Sequence, residues 1–374
     1  MPTPWQRDLE ADGRKFEDWL RKQLPDARKL RISPLVSPTT SGFSNETLLF
    51  DLDYEEGGEA RSEKLVARIQ PMGFQVFPSY DLGLQFHTMR CLAATDVPVP
   101  EVRWLAADDR DVFGAPFYVM SQLSGRVPSD NPPYHVSGWF AEEATPAERE
   151  AIWLGGIDAL AKIHAVDWRA AGMEFVDRRE PGQSALQAEI AAYRRYYEWA
   201  ARGRPNPTIE AGFEFIEANQ PEDEPTGLQW GDARIGNIIY DGSTPAAVID
   251  WEMVTLGSPE ADLGWFIFLD RHHSEGIGQQ RAQGLPGYDE TCSYYSDCSG
   301  HRVRYLDYYQ AWAGVRFGVI MMRIAQQLVH YEVMPEEAGL AFEHDNTVTR
   351  LLSKLLELPP PGEGAGTRGG FAGE

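Results

Sequence analysis

Cysteine is scarce in this chain of 374 residues, and its three copies, Cys91, Cys292 and Cys298, have no zinc-finger spacing. A disulfide framework and a structural zinc are therefore set aside as organising devices. Long apolar runs are missing as well. Nothing approaches the roughly 20 residues that cross a bilayer, and the opening MPTPWQRDLEADGRK holds no apolar signal segment. A reducing cytoplasm is the expected compartment, with Cys292 and Cys298 as free thiols. Positive charge is in deficit: 34 Lys and Arg stand against 57 Asp and Glu, a formal net charge of −23. That balance argues against nucleic acid and anionic membrane as partners. Internal repeats and low-complexity domains are also lacking. What remains is enough apolar sequence for two cores, so two lobes around a cleft are expected.

The richest stretch is LQWGDARIGNIIYDGSTPAAVID, Leu228 to Asp250. Asp232 is followed by Asn237, then by Ile238-Ile239-Tyr240, an Asp241-Gly242 turn and a returning Ala247-Val248-Ile249 run. Two β-prone runs about such a turn read as a hairpin, which would hold Asn237 and Asp250 near each other. An amide oxygen and a carboxylate are hard ligands suited to Mg²⁺, which keeps several waters and is shared with substrate phosphates. Asp232 is then free to accept a proton from an attacking hydroxyl or to orient it. Arg234 could meet phosphate charge. Any one Asp or Asn beside a hairpin is more often a turn former; three in register carry the reading.

The runs WGDARIGN, VIDWE and GSPEADL together resemble the aminoglycoside phosphotransferase family, small-molecule kinases of the protein-kinase-like superfamily. Family members typically show H-G-D-x-R-x-G-N, V-I-D-W-E and G-x-P-x-x-D-L. The resemblance covers about residues 37–356, and it implies an α+β, protein-kinase-like two-lobe fold. A β-rich nucleotide-binding lobe with a leading helix would span 1–122. A helical catalytic and acceptor-binding lobe would span 123–358, and 359–374 would be a disordered tail. The implied cofactors are ATP and Mg²⁺, and the partner is a small-molecule hydroxyl acceptor. Relatives phosphorylate sugars, amino alcohols, macrolides and, in branches linked to acyl-CoA dehydrogenases, hydroxyacyl thioesters.

The resemblance also assigns residues. Asp232 and Arg234 become catalytic, and Asn237 and Asp250 hold the metal. Gly42, Phe43 and Ser44 form the tip of a phosphate-covering loop, although one glycine is not G-x-G-x-x-G. Arg68 stands where the third strand usually carries lysine; it keeps the charge but changes the geometry. Gln85 replaces the glutamate that pairs with that lysine, and an amide could accept from the Arg68 guanidinium. Met120 backs the adenine pocket, Ser121 and Leu123 offer main-chain hydrogen bonds, and Gly125 lets the chain turn away. Trp230 stands in place of the family histidine. These three departures, at Arg68, Gln85 and Trp230, motivate a competing reading as a nucleotide-binding pseudokinase with a regulatory role.

Apolar spacing places helices at about 5–24, 81–94, 145–164, 184–201, 207–216, 303–333 and 335–356. His164 is expected in the core, Asp262 as a brace for the catalytic loop, and Glu252 facing the acceptor. His272 and His273 are expected on an exposed loop, and 276–300 as loop. Aromatics at Tyr193, Tyr196, Tyr197, Trp199 and from Tyr305 to Trp312 suggest an acceptor with a substantial apolar portion. Helical aromatic stripes are also common in cores.

Overall fold

A computed structural model describes residues 7–38, 45–222 and 225–361. The Gly42, Phe43 and Ser44 tip and the segment 362–374 lie outside the described residues. The chain begins with α1 (Leu9–Gln23), whose N-cap Asp8 accepts from the Ala11 amide. Five antiparallel strands follow: β1 (Arg28–Ile32), β2 (Glu46–Glu56), β3 (Glu59–Ile69), β4 (Val102–Ala106) and β5 (Phe117–Ser121). Their order in the sheet is β1-β2-β3-β5-β4. Gly57 and Gly58, at φ of 62° and 89°, make the two-residue turn that sets Glu56 opposite Glu59. A turn with two positive φ angles matches the twist of the strands it joins.

Alternation along β3 decides which side chains see the cleft. Leu65, Ala67 and Ile69 face α1 and share a core with Phe16, Trp19 and Phe117. Val66 and Arg68 therefore point the other way, as period two requires. Phe16 is fully buried and meets Phe50 edge-on at 4.9 Å; burying such a ring contributes about 2–3 kcal/mol. Lys64 shares the parity of Arg68 but sits exposed further from the strand's end. Between β3 and β4, α2 (Leu82–Leu92) buries Leu82, Phe86, Met89 and Leu92, as its spacing predicts.

From Trp139 onward the chain is mainly helical. The short α3 (Trp139–Glu142) precedes α4 (Pro146–His164), which starts with the expected Thr145–Glu148 capping box and a proline in its first turn. Next come α5 (Ala185–Ala201), α6 (Pro207–Ala218), β6 (Gly227–Gln229), β7 (Ile238–Asp241), β8 (Thr244–Val248) and β9 (Thr255–Gly257). The last part holds α7 (Pro259–His273), α8 (Tyr288–Ser299), α9 (Leu306–His330), α10 (Glu336–His344) and α11 (Thr347–Leu355). The buried α9 is the axle of this lobe. Gly264 lets α7 lie directly on it, since a Cβ there would come within 2.7 Å of the Tyr309 backbone.

Three expectations need correction. Residues 276–300 are not all loop: Gly300 at φ 72° terminates α8, whose Tyr295 is fully buried. The single last helix is two, because the Asn346 side chain accepts from the Val348 and Thr349 amides and starts a new one. His272 and His273 close α7 and are not on an exposed loop; His273 is buried, and burial pushes the His272 pKa down to about 4. Among the described residues no helix is long and apolar enough to cross a membrane, no metal-binding cluster of His, Cys, Asp and Glu is found, and all three cysteines are free.

Candidate active site

Between β6 and β7 the chain runs through 230–237 and ends in a short 3-10 turn, Ile235–Asn237. This segment is held by main-chain bonds to one carboxylate. Asp262, in the first turn of α7, accepts from the Trp230 amide at 2.7 Å and the Gly231 amide at 2.9 Å. His164 in turn donates or accepts at Asp262 (3.1 Å) and Tyr295 (2.7 Å), a core position like the one expected for it. Gly231 is required here. Its φ is 92°, and a Cβ would lie 2.1 Å from the Met253 carbonyl oxygen. Trp230 donates its indole N–H to the Ile249 carbonyl at 3.0 Å, so it ties the loop to the far side of the hairpin.

The β7–β8 hairpin then brings the ends together as its turn chemistry implies. The Ile249 amide donates to the Asn237 carbonyl at 3.0 Å. One residue later, Asp250 adopts φ 63°, a left-handed conformation that asparagine and aspartate tolerate better than most residues.

Asp232 sits at the centre. Trp265 Nε1 donates to its Oδ1 at 2.9 Å, Asn237 Nδ2 to its Oδ2 at 2.7 Å, and Arg234 Nε approaches both oxygens at 3.2 and 3.1 Å. Burial raises its pKa from 3.8 to about 7, Asp250 adds to the rise, and the hydrogen bonds and Arg316 oppose it. Only 13% of the side chain is exposed. A carboxyl so tuned can hold or release a proton near neutral pH, as a general base requires.

Arg68 spans the lobes. It donates to Thr47 Oγ1 at 2.9 Å and to Asp250 Oδ1 at 3.3 Å. Burial disfavours its charge, and Asp250, Tyr118 and Glu252 outweigh burial to raise its pKa. Gln85 is buried and does not take the guanidinium directly; it accepts from the Tyr118 hydroxyl at 3.3 Å, and Tyr118 lies against Arg68. Glu252 accepts from Asn45 at 3.0 Å, at the foot of the segment expected to cover a nucleotide.

Met120 is buried on β5, opposite Val66 and Val102. The Ser121 amide donates to Glu101 and the Gln122 amide to Lys64, both at 2.8 Å, which fixes the strand's exit toward Leu123. Gly125, at φ 149°, turns the chain where a Cβ would strike Ile239 and the Tyr240 carbonyl.

Four partners escaped the sequence reading. Asp130 pairs with Arg234 Nη1, Trp265 donates to Asp232, Tyr118 links Arg68 to Gln85, and Arg316 on α9 donates to the Gly231 carbonyl at 3.0 Å. Trp265 alone left a signal: it follows Asp262 by three residues on one helix, so both face the loop. Beyond Asp130, Asp270 accepts from Tyr134, Arg281 and Tyr288 and bonds His135, all at 2.6–3.0 Å. The aromatic stripes are mostly core. Tyr196, Tyr197, Tyr308, Tyr309 and Trp312 are buried, while Trp199 remains 38% exposed.

A β-sheet lobe, a helical lobe and an Asp-Asn-Asp site at their junction define a protein-kinase-like α+β fold. The profile of the phosphotransferase enzyme family matches residues 36–294, and the chain belongs to that family. Solved structures of similar fold include aminoglycoside phosphotransferases. A putative one from Ralstonia eutropha superposes with a TM-score of 0.65 at 24% identity, covering 91% of this chain and 96% of that one. An aminoglycoside phosphotransferase in ternary complex with ADP and hygromycin B gives 0.54 at 14% identity, covering 94% and 99%.

Among curated relatives, acyl-CoA dehydrogenase family member 11 of Gallus gallus is 29% identical over 307 residues, 79% of this chain and 37% of that protein. A probable acyl-CoA dehydrogenase of Arabidopsis thaliana is 30% identical over 268 residues, 67% of this chain and 30% of that protein. The chain thus spans about a third of the length of these relatives.

Proposed function

We propose that the protein transfers the γ-phosphoryl group of ATP, with Mg²⁺, to a hydroxyl of a small molecule. The observation that carries this is the geometry that holds Asp232 against Asn237 at 2.7 Å while the hairpin returns Asp250 beside them through the Ile249–Asn237 bond. The donor set fits the metal. Asn237 spends its amide N–H on Asp232, which leaves Oδ1 to ligate, and Asp250 engages Arg68 through Oδ1, which leaves Oδ2. Bound Mg²⁺ would supply charge compensation for the phosphates.

This chain's residues do the rest. Asp232 orients the acceptor hydroxyl and takes its proton. Trp265 and Asn237 hold the carboxylate in place, and Arg68 and Arg234 offset phosphate charge; such electrostatic preorganisation dominates phosphoryl transfer. Met120, Ser121 and Leu123 would meet the adenine. Gly42, Phe43 and Ser44 are assigned to phosphate by the motif alone.

The ADP and hygromycin B complex of a neighbour supports a nucleotide-and-small-molecule cleft. For the acceptor, the half-buried Tyr193, which lies within electrostatic reach of Asp232, favours a molecule with an apolar portion over a polycation. The test is Mg²⁺-dependent ATP consumption across hydroxylated metabolites and antibiotics, with Asp232→Asn as control. Transfer abolished in the variant is expected. Nucleotide binding with no single-turnover transfer to any acceptor would favour the pseudokinase reading. Kanamycin-like compounds turned over at about 10⁴ M⁻¹s⁻¹ or more, with apolar alcohols inert, would refute the acceptor class.

A further inference from the structure

A cavity of about 550 Å³ lies outside the cleft, where the β3–α2 connection rests on the helical lobe, lined by Phe74, Gln75, Trp199, Arg202, Arg204 and Arg323. Arg323, on α9, is 3% exposed. Its guanidinium has one ring on each side, Trp199 at 3.9 Å and Phe74 at 4.2 Å from the ring centroids. It donates from Nη2 and Nε to the Gln75 carbonyl, at 2.6 and 3.3 Å, and from Nη1 to Gln326.

All of these acceptors are neutral. Three of the five guanidinium N–H groups are committed, and two remain. Among the described residues neither Arg323 nor Arg202 has a carboxylate partner. The acidic groups of the lining are Glu343, held twice by Arg204 at 3.2 and 3.3 Å, and Glu336 on the rim. A buried cation with no carboxylate paired to it is costly; burial followed by Arg202 lowers the Arg323 pKa to about 10, against smaller opposing pulls from Tyr196, Tyr80 and Glu343.

We propose that this cavity binds an oxyanion, a phosphate or carboxylate group, whose oxygens meet the free N–H groups of Arg323 and the exposed Arg202. The site does not depend on the phosphotransfer reading. Its position has a mechanical meaning. Gln75 lies on the connection between β3, which bears Arg68, and α2, which bears Gln85. That connection is also fastened to the helical lobe by the Phe74 amide donating to Tyr331 at 2.9 Å and by Tyr196 donating to the Val76 carbonyl at 2.7 Å. An anion on Arg323 therefore sits at the joint between the lobes.

The experiment is calorimetric titration of pyrophosphate, and separately succinate, into metal-free protein. The two arms separate a phosphate site from a carboxylate site. Saturable binding of at least one anion is expected, weakened about ten- to a hundredfold in Arg202→Ala, the loss of one charge-assisted hydrogen bond, and absent in Arg323→Gln. Arg202 is exposed, so its variant keeps the test open if Arg323→Gln misfolds. Arg68→Ala must leave the response intact. No saturable binding, equal affinity in Arg202→Ala, or loss in Arg68→Ala alone would each overturn the proposal.

Discussion

Asp232→Asn should make the ligand-free protein more stable relative to wild type as pH rises. In the folded protein the Asp232 carboxyl titrates near 7 instead of 3.8, with burial as the main cause and Asp250 second. Between those values the folded state binds a proton that the unfolded state has released, so wild-type stability falls as pH climbs from about 4 to 7. The difference between the two protonation states is about 4 kcal/mol, a ceiling because part of the side chain is solvated. Asparagine carries no charge to desolvate, but its amide leaves one of the donors, Trp265 or Asn237, without an acceptor at a cost of about 1–3 kcal/mol. That cost is the same at every pH. The variant should thus be near or below wild type at pH 5 and gain up to a few kcal/mol on it by pH 8. Thermal or urea unfolding of both proteins from pH 5 to 8 measures the gap. A constant gap, or one that widens toward acid, would show that Asp232 is not held above its ordinary value.

Asp250→Ala should weaken Mg²⁺-dependent nucleotide affinity more than Asp232→Ala does, because on the proposed assignment only the former removes a metal ligand; equal losses in calorimetry would reject the division of roles. Arg68→Ala should reduce ATP affinity by about tenfold or more, the worth of one charge-assisted contact, and Arg68→Lys should recover part of it; unchanged affinity in Arg68→Ala would remove the residue from the site. Gly231→Ala should abolish transfer and lower stability by several kcal/mol, since both φ 92° and the Met253 carbonyl oppose a side chain there; an active, equally stable variant would refute the account of the loop.

The geometry of the 228–250 segment was legible in the sequence because it is local. Asp232, Asn237 and Asp250 lie on one loop and one hairpin, and a two-residue turn brings the ends together. Arg68 was legible for a similar reason, since strand alternation alone decides which way it faces. Its partner was not. Gln85 seemed placed to receive the guanidinium, but Tyr118 from β5 comes between them, and only the strand order sets that tyrosine beside both. Asp130 and Arg316 are 102 and 84 residues from Asp232 in sequence, and no spacing rule reaches so far. His272 and His273 were assigned to an exposed loop because no third metal ligand stands at useful spacing, whereas α7 carries them into the lobe. The break before α11 was written in Asn346, a capping residue inside a run whose apolar spacing continued unbroken.

Asp270 gathers side chains from two separate loops. Tyr134 and His135 belong to the segment that carries Asp130 toward Arg234, while Arg281 lies on the approach to α8 and Tyr288 is its first residue. The two segments also meet directly, the Ala282 amide donating to His135 Nδ1 at 3.1 Å, so both are seated around the same two oxygen atoms. The wall beside the catalytic loop is consequently inherited as a single piece. A change at Arg281 therefore alters the seat of Tyr134 through Asp270, so replacements in one segment would be tolerated only with matching ones in the other.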